Sequence, residues 1–278
     1  MSKSTQAFAR APSEYRHRAG SSRLLWLAAA LGLASCAAPA QDSPASALRS
    51  LGRAPHAAGE LVYRGAVYDP SRGPNSAAVF NYERRVTPQG DALISTHVSL
   101  DEDGTLAVVD AATHDSAYRL RTFDSLQAQT GTVGRVTVDA DGDVHFDVTR
   151  ARRRRTRTER ATDPVVVGPT LFGYALAHWE ALVSGEALKV RFAVVERAQT
   201  YGFTLRKVHA DAHTTTIAMR ATGLLTRASV PTMHLVFDTQ TRDIVRYQGR
   251  VPPVVFKDGK ARALDARVEY AFVADGYR

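Results

Sequence analysis

A single cysteine, Cys36, is the most consequential scarcity in this sequence of 278 residues. One thiol cannot close an intramolecular disulfide, and a thiolate zinc cluster is excluded for the same reason. No Gly-x-Ser-x-Gly elbow and no Ser-x-x-Lys pair occurs beyond Cys36, so the familiar serine-nucleophile signatures are missing. Gly-rich loops that cradle phosphates with backbone N–H groups are absent as well. No apolar run approaches the roughly 20 residues that a membrane-spanning helix takes. Basic charge is present but uneven: of the net +8, half sits in residues 1–35, where Lys3, Arg10, Arg16, Arg18 and Arg23 face only Glu14. Much of the rest lies in one run at 150–160, a distribution that argues against a general nucleic-acid binder.

What is present begins with the amino terminus. A polar, positive segment is followed by the charge-free stretch from Leu24 to Ser35 and then at once by Cys36. A basic region, a short apolar core and small residues are the anatomy of a secretory signal. Leu33-Ala34-Ser35-Cys36 resembles the lipobox of bacterial lipoproteins. The resemblance implies diacylglyceryl transfer to the Cys36 thiol, cleavage before it and a membrane held by acyl chains, with no other cofactor. Ala37, where Asp would mark inner-membrane retention, implies the outer membrane, facing the periplasm. An ordinary cleaved signal using Ala38-Pro39-Ala40 is the alternative. Residues 36–59, rich in Ala, Pro and Ser, read as a tether, leaving 60–278 as one domain.

From Glu60 onward, short segments rich in Val, Tyr, Phe and Thr alternate apolar with polar residues between turn dipeptides. Val136-Thr137-Val138 and Val144-His145-Phe146 flank Asp141-Gly142, which supplies the positive φ a tight hairpin needs. The same logic pairs 188–194 with 201–205 and 233–237 with 244–247. Further strands are expected at 61–68, 77–86, 92–100, 105–110, 117–124, 214–221 and 264–273, at least ten in all and mostly antiparallel. One segment differs. Pro169 and Gly185 bracket a helix over about 169–184, whose Leu171, Phe172, Ala175, Leu176, Trp179, Leu182 and Val183 form a broad apolar face. Such a helix needs a sheet to bury it. The expected fold is mainly β, a large curved antiparallel sheet or half-barrel with this helix on its concave face. In architecture this resembles the Lol-type lipoprotein carriers and receptors, whose concave side holds acyl chains. His178-Trp179-Glu180-Ala181-Leu182, Gly185-Glu186, Val190-Arg191-Phe192 and Tyr247-Gln248-Gly249 resemble uncharacterised proteobacterial envelope proteins, a likeness that implies no catalytic residues.

Three clusters are candidates for chemistry. His209, Asp211 and His213 are zinc-ligating residue types, although a polar hairpin tip needs the same residues. Arg152, Arg153, Arg154 and Arg155 form either a patch for an anionic envelope component or a charged strand edge. Phe172, Tyr174 and Trp179 either line a ligand cavity or are simply core. Asp139-Ala140-Asp141-Gly142-Asp143 is no EF-hand, since Val144 and Arg150 stand where Gly and Glu are required. The sequence therefore leads to a lipid-anchored periplasmic protein without catalytic activity that binds lipid or another apolar ligand. The alternatives are a scaffold acting through its arginines and a metal-dependent envelope hydrolase using the His209 cluster.

Overall fold

The computed structural model describes residues 59–273; the leader, Cys36 and nearly all of the tether lie outside the described residues. The chain first runs through β1 (Glu60–Tyr68), β2 (Phe80–Gln89), β3 (Ala92–Asp101), β4 (Leu106–His114), β5 (Leu120–Gln127), β6 (Thr132–Val138), β7 (Asp143–Arg150) and β8 (Arg153–Arg160). Next come the short β9 (Val165–Val166) and two helices, α1 (Gly168–Ala177) and α2 (Trp179–Val183). Strands β10 (Leu188–Val194), β11 (Gln199–Ala210) and β12 (Thr214–Ala221) follow, then α3 (Leu224–Ser229). The described chain finishes with β13 (Met233–Asp238), β14 (Ile244–Lys257) and β15 (Lys260–Phe272).

All fifteen strands join one sheet, ordered β8-β7-β6-β5-β4-β3-β2-β1-β15-β14-β13-β12-β11-β10-β9. It is two meanders joined where β1 pairs with β15, from Tyr63 opposite Phe272 to Tyr68 opposite Arg267. Every pairing is antiparallel except that of β9 with β10. The expected hairpin at 136–148 forms with Gly142 at φ +83, in the left-handed region that glycine enters without steric cost.

The sheet is strongly curved and unclosed. Five strands separate β5 from β14, yet the Gln127 side chain on β5 donates to the Pro252 carbonyl on β14. At the far ends, Glu159 on the edge strand β8 accepts from both the backbone N–H and the hydroxyl of Thr200 on β11. The concave face is thus folded toward itself, and two apolar clusters fill it. The larger packs α1 and α2, through Leu171, Phe172, Ala175 and Leu182, against Val62, Leu205, Ile217, Leu235 and Phe237. The smaller sets Phe123, Val136 and Phe146 against Val165, Val167 and Val195. Gly134 makes room there, because a Cβ at that position would meet Val195 Cγ1 at 2.2 Å.

The expected helix is present but divided. Thr170 opens α1, its hydroxyl accepting from the Val167 N–H at 3.1 Å. His178 interrupts it at φ −114°, its Nδ1 donating to the Tyr174 carbonyl at 2.9 Å in a side-chain copy of a helical hydrogen bond. Helix α2 then ends at Gly185, φ +101, with Gly185 N–H bonded to Leu182 O and Glu186 N–H to Ala181 O. That paired arrangement satisfies carbonyls the helix end would otherwise leave open.

Candidate functional site

Strands should show their apolar side to a core, and β2, β3 and β4 depart from that rule at one level of the sheet. The pairing register places Phe272, Tyr63, Arg84, His97, Asp110, Ser125 and Gly134 in a single row crossing β15, β1, β2, β3, β4, β5 and β6. Arg84, His97 and Asp110 are each at most 7% exposed. Arg84 Nε, His97 Nε2 and Asp110 Oδ1 have no hydrogen-bond partner. A buried polar atom left unpaired costs about 1–3 kcal/mol, so three in adjacent register positions call for a role.

The row is electrically asymmetric. Arg84 is surrounded by the phenols of Tyr63, Tyr82 and Tyr118, and among the described residues it forms no ion pair. Its guanidinium carbon lies 5.6 Å from the Tyr63 ring centroid. Burial, reinforced by the Arg84 charge, holds the His97 imidazole well below its usual range, so His97 is neutral. Burial pushes the Asp110 carboxyl up to about 7, with the Ser125 hydroxyl opposing the rise and Glu196 adding to it. The positive charge of Arg84 is therefore the dominant one in the row.

A hydrogen-bonded relay fixes that charge in place. Arg84 Nη2 donates to Ser95 Oγ at 3.1 Å, and Ser95 Oγ lies 2.9 Å from His114 Nε2. His114 Nδ1 lies 2.7 Å from the Asp115 carbonyl, which can only accept. Nδ1 therefore carries the proton, Nε2 accepts from Ser95, and the serine hydroxyl accepts from Arg84. Burial lowers the His114 pKa, in keeping with this neutral tautomer. The Ser95–His114 contact has the polarity of a nucleophile and its base. Both residues are 0% exposed, however, and Ser95 is not among the residues lining the cavity, so the pair serves to orient the guanidinium.

Arg84 reaches a cavity of about 190 Å³ between α1 and the seam of β1 with β15. Its walls are Val62, Tyr63, Phe172, Leu176, Ile244 and Phe272, with Tyr118 and Gly173 on one side. Thr241, Arg242 and Asp243 form the rim. Arg242 is tied down from outside, its Nη2 2.9 Å from Glu180 Oε1 and its guanidinium carbon 5.7 Å from the Trp179 ring centroid. Tyr118 takes φ +59, a conformation uncommon for a bulky side chain, and stacks on His114 at 4.7 Å with 18° between the rings.

The residues singled out from sequence fall in three places. Of the aromatic trio, Phe172 lines the cavity, while Tyr174 packs beside His178 and Trp179 lies in the core against Phe237. Arg152 occupies the β7–β8 turn with Ala151, both at positive φ, and Arg153, Arg154 and Arg155 lie on the exposed edge strand. Arg154 chelates Asp147 through Nε at 2.8 Å and Nη2 at 2.7 Å. His209, Asp211 and His213 lie at the β11–β12 hairpin, outside the cavity. Asp211 is held low by N–H groups of Thr214 and His213 and by the His209 ring, whose Nε2 lies 2.9 Å away. Among the described residues, no group of three or more His, Cys, Asp or Glu side chains is placed to hold a metal ion. No helix among them is long and apolar enough to cross a membrane. Sequence reasoning missed Arg84, Ser95, His97, Asp110 and His114 altogether; the available signal was the polar run Ser95-Thr96-His97 inside an otherwise apolar strand. Set beside known proteins, the chain matches no family model and no curated protein.

Proposed function

We propose that this chain is an envelope lipoprotein, anchored through Cys36 to the outer membrane and facing the periplasm, that binds the apolar part of a small amphiphile beneath α1. The observation that carries the reading is the cavity walled by Val62, Phe172, Leu176, Ile244 and Phe272 between helix and sheet. At about 190 Å³ it is larger than an engineered apolar cavity of about 150 Å³ that takes up benzene. The lipobox-like Leu33-Ala34-Ser35-Cys36 supports the location, and the curved sheet supports the kind of ligand. The test is calorimetric titration of the exported Cys36→Ala protein with 1-octanol. Saturable one-site binding that Leu176→Trp abolishes is expected; no saturable heat with the folded protein would end the proposal.

A second reading rests on the β8 edge. Arg152, Arg153 and Arg155 form no ion pair among the described residues, and they sit where an anionic envelope component can approach. In that reading the protein is a scaffold, and its binding to anionic vesicles weakens steeply with salt. Vesicle flotation at low and high ionic strength separates the two.

A further inference from the structure

We infer that the ligand of the cavity carries a single oxyanionic head group, a carboxylate or a phosphate monoester, seated on Arg84. The inference rests on the proposal that the cavity binds an amphiphile and adds the chemistry of its polar end.

Four observations converge on it. Arg84 is 5% exposed and lines the cavity, so its charge faces the interior and not solvent. No carboxylate pairs with it among the described residues, Asp243 standing at the cavity rim, and its Nε has no hydrogen-bond partner, whereas a buried arginine is ordinarily stabilised by a carboxylate. Its orientation is set by Ser95, His114 and the Asp115 carbonyl, which engage Nη2 and hold the guanidinium at the cavity wall. A planar guanidinium fixed in this way matches the paired oxygens of a carboxylate or phosphate. Finally, burial keeps the Tyr63 phenol beside Arg84 protonated, so it supplies no counter-charge.

The other charges nearby do not compete for this role. Arg242 is exposed at the rim and engaged by Glu180, so it neither faces the interior nor lacks a carboxylate. His97, next in the row, is neutral and leaves the Arg84 charge uncompensated. A cationic or neutral head group placed against Arg84 would gain nothing from the guanidinium, and a cation would be repelled. Asp110 lies two strands away and keeps its proton up to about pH 7, and Asp243 stands at the rim, so an anion seated on Arg84 supplies a counter-charge in direct contact.

The experiment is calorimetric titration of the exported Cys36→Ala protein and its Arg84→Met variant with octanoate, octyl phosphate, 1-octanol and octylamine at neutral pH. We expect one or both anions to bind wild type at least about tenfold tighter than octanol, equivalent to about 1.4 kcal/mol. Octylamine should bind weakest. Arg84→Met should lose the preference for anions over octanol, so that the ratio of the two affinities falls to about one. The order of octanoate and octyl phosphate identifies the head group, and either order supports the inference. Equal affinity for octanol and both anions, or a preference for octylamine, would overturn it while leaving the apolar cavity standing. Failure of every octyl compound to bind would instead remove the underlying proposal. Should Arg84→Met not fold, acidifying wild type below the carboxylate pKa supplies the same test. A preference for octanoate over octanol seen at neutral pH should then disappear, and its persistence on the protonated acid would overturn the inference.

Discussion

Tyr118 lies against the bare Cα of Gly173, so closely that a Cβ at that position would fall 1.9 Å from the tyrosine ring. Tyr118 in turn stacks on His114, which holds Ser95, which holds Arg84. One missing side chain on α1 is thus connected, through three residues, to the orientation of the buried Arg84 guanidinium.

Gly173→Ala is expected to push Tyr118 off His114 and into the cavity. Overpacking of this kind costs about 1–3 kcal/mol. Urea denaturation should report that loss, and octanol titration should show weakened binding in the protein that remains folded. Unaltered stability together with unaltered binding would mean that Tyr118 moves aside freely.

Arg84→Met should make the protein more stable, by about 1–3 kcal/mol, because an unpaired buried cation is replaced by a flexible apolar side chain. The Ser95 hydroxyl keeps its bond to His114, so the substitution strands little. A rise in the urea midpoint with an unchanged m-value is the expected result, and a fall would show that Arg84 has a structural partner after all.

Asp110 gives stability a dependence on pH whose sign follows from its raised pKa. Folded, the carboxyl keeps its proton to about 7; unfolded, it releases it near 3.8. Between those values the native state binds more protons, so stability falls as pH rises, by up to about 4 kcal/mol in total. His97 acts oppositely: its depressed pKa makes stability rise with pH up to about 6.5. Asp110→Asn should therefore gain on wild type as pH rises from about 3.8 to about 7 in urea titrations, and His97→Gln should gain at the acidic end. Parallel profiles for wild type and Asp110→Asn would show that the carboxyl is solvated.

The arginines of β8 should keep the sheet edge from pairing with another molecule. Arg153 and Arg155 are exposed, and among the described residues the outer side of β8 has no neighbouring strand. Replacing both with Thr raises strand propensity and removes charge. Concentration-dependent dimers or larger species are expected in sedimentation velocity, and a monomer at every concentration would assign the edge no such role.

Cys36→Ala should release the protein from membranes into the soluble periplasmic fraction. Acyl chains contribute about 0.8 kcal/mol per buried methylene, far beyond what a surface patch supplies. Persistence in the membrane pellet after an alkaline wash would refute the lipid anchor.

Much of the fold was legible because local chemistry decides it. Asp141-Gly142 marks a hairpin, Pro169 and Gly185 bracket the helical segment, and strand alternation needs only neighbouring residues. The site was not legible, because it exists only in the register. Arg84, His97 and Asp110 are each separated by a turn, and each taken alone reads as an outward-facing residue; pairing alone sets them side by side. The aromatic trio shows a second limit. Positions 172 and 174 point about 200° apart on a helix, so Phe172 and Tyr174 cannot face one cavity. The break at His178 then turns Trp179 away from the line that helical spacing alone would give it. The arginine run conceals a strand for a simpler reason, since its composition reports solvent exposure and not backbone conformation.

The seam between β1 and β15 bears on when the site comes into existence. Each meander closes through neighbouring hairpins, but Tyr63 and Phe272 meet only after nearly the whole described chain has been made. Such distant pairing is slow, because the entropy of closing a long loop is lost before any contact rewards it. Until then β1 presents a bare edge beside Arg84, and the cavity lacks the wall that Phe272 supplies. The cavity is therefore a property of the closed sheet seam, and, on the proposed function, capture of an octyl anion would serve as an assay for completed folding.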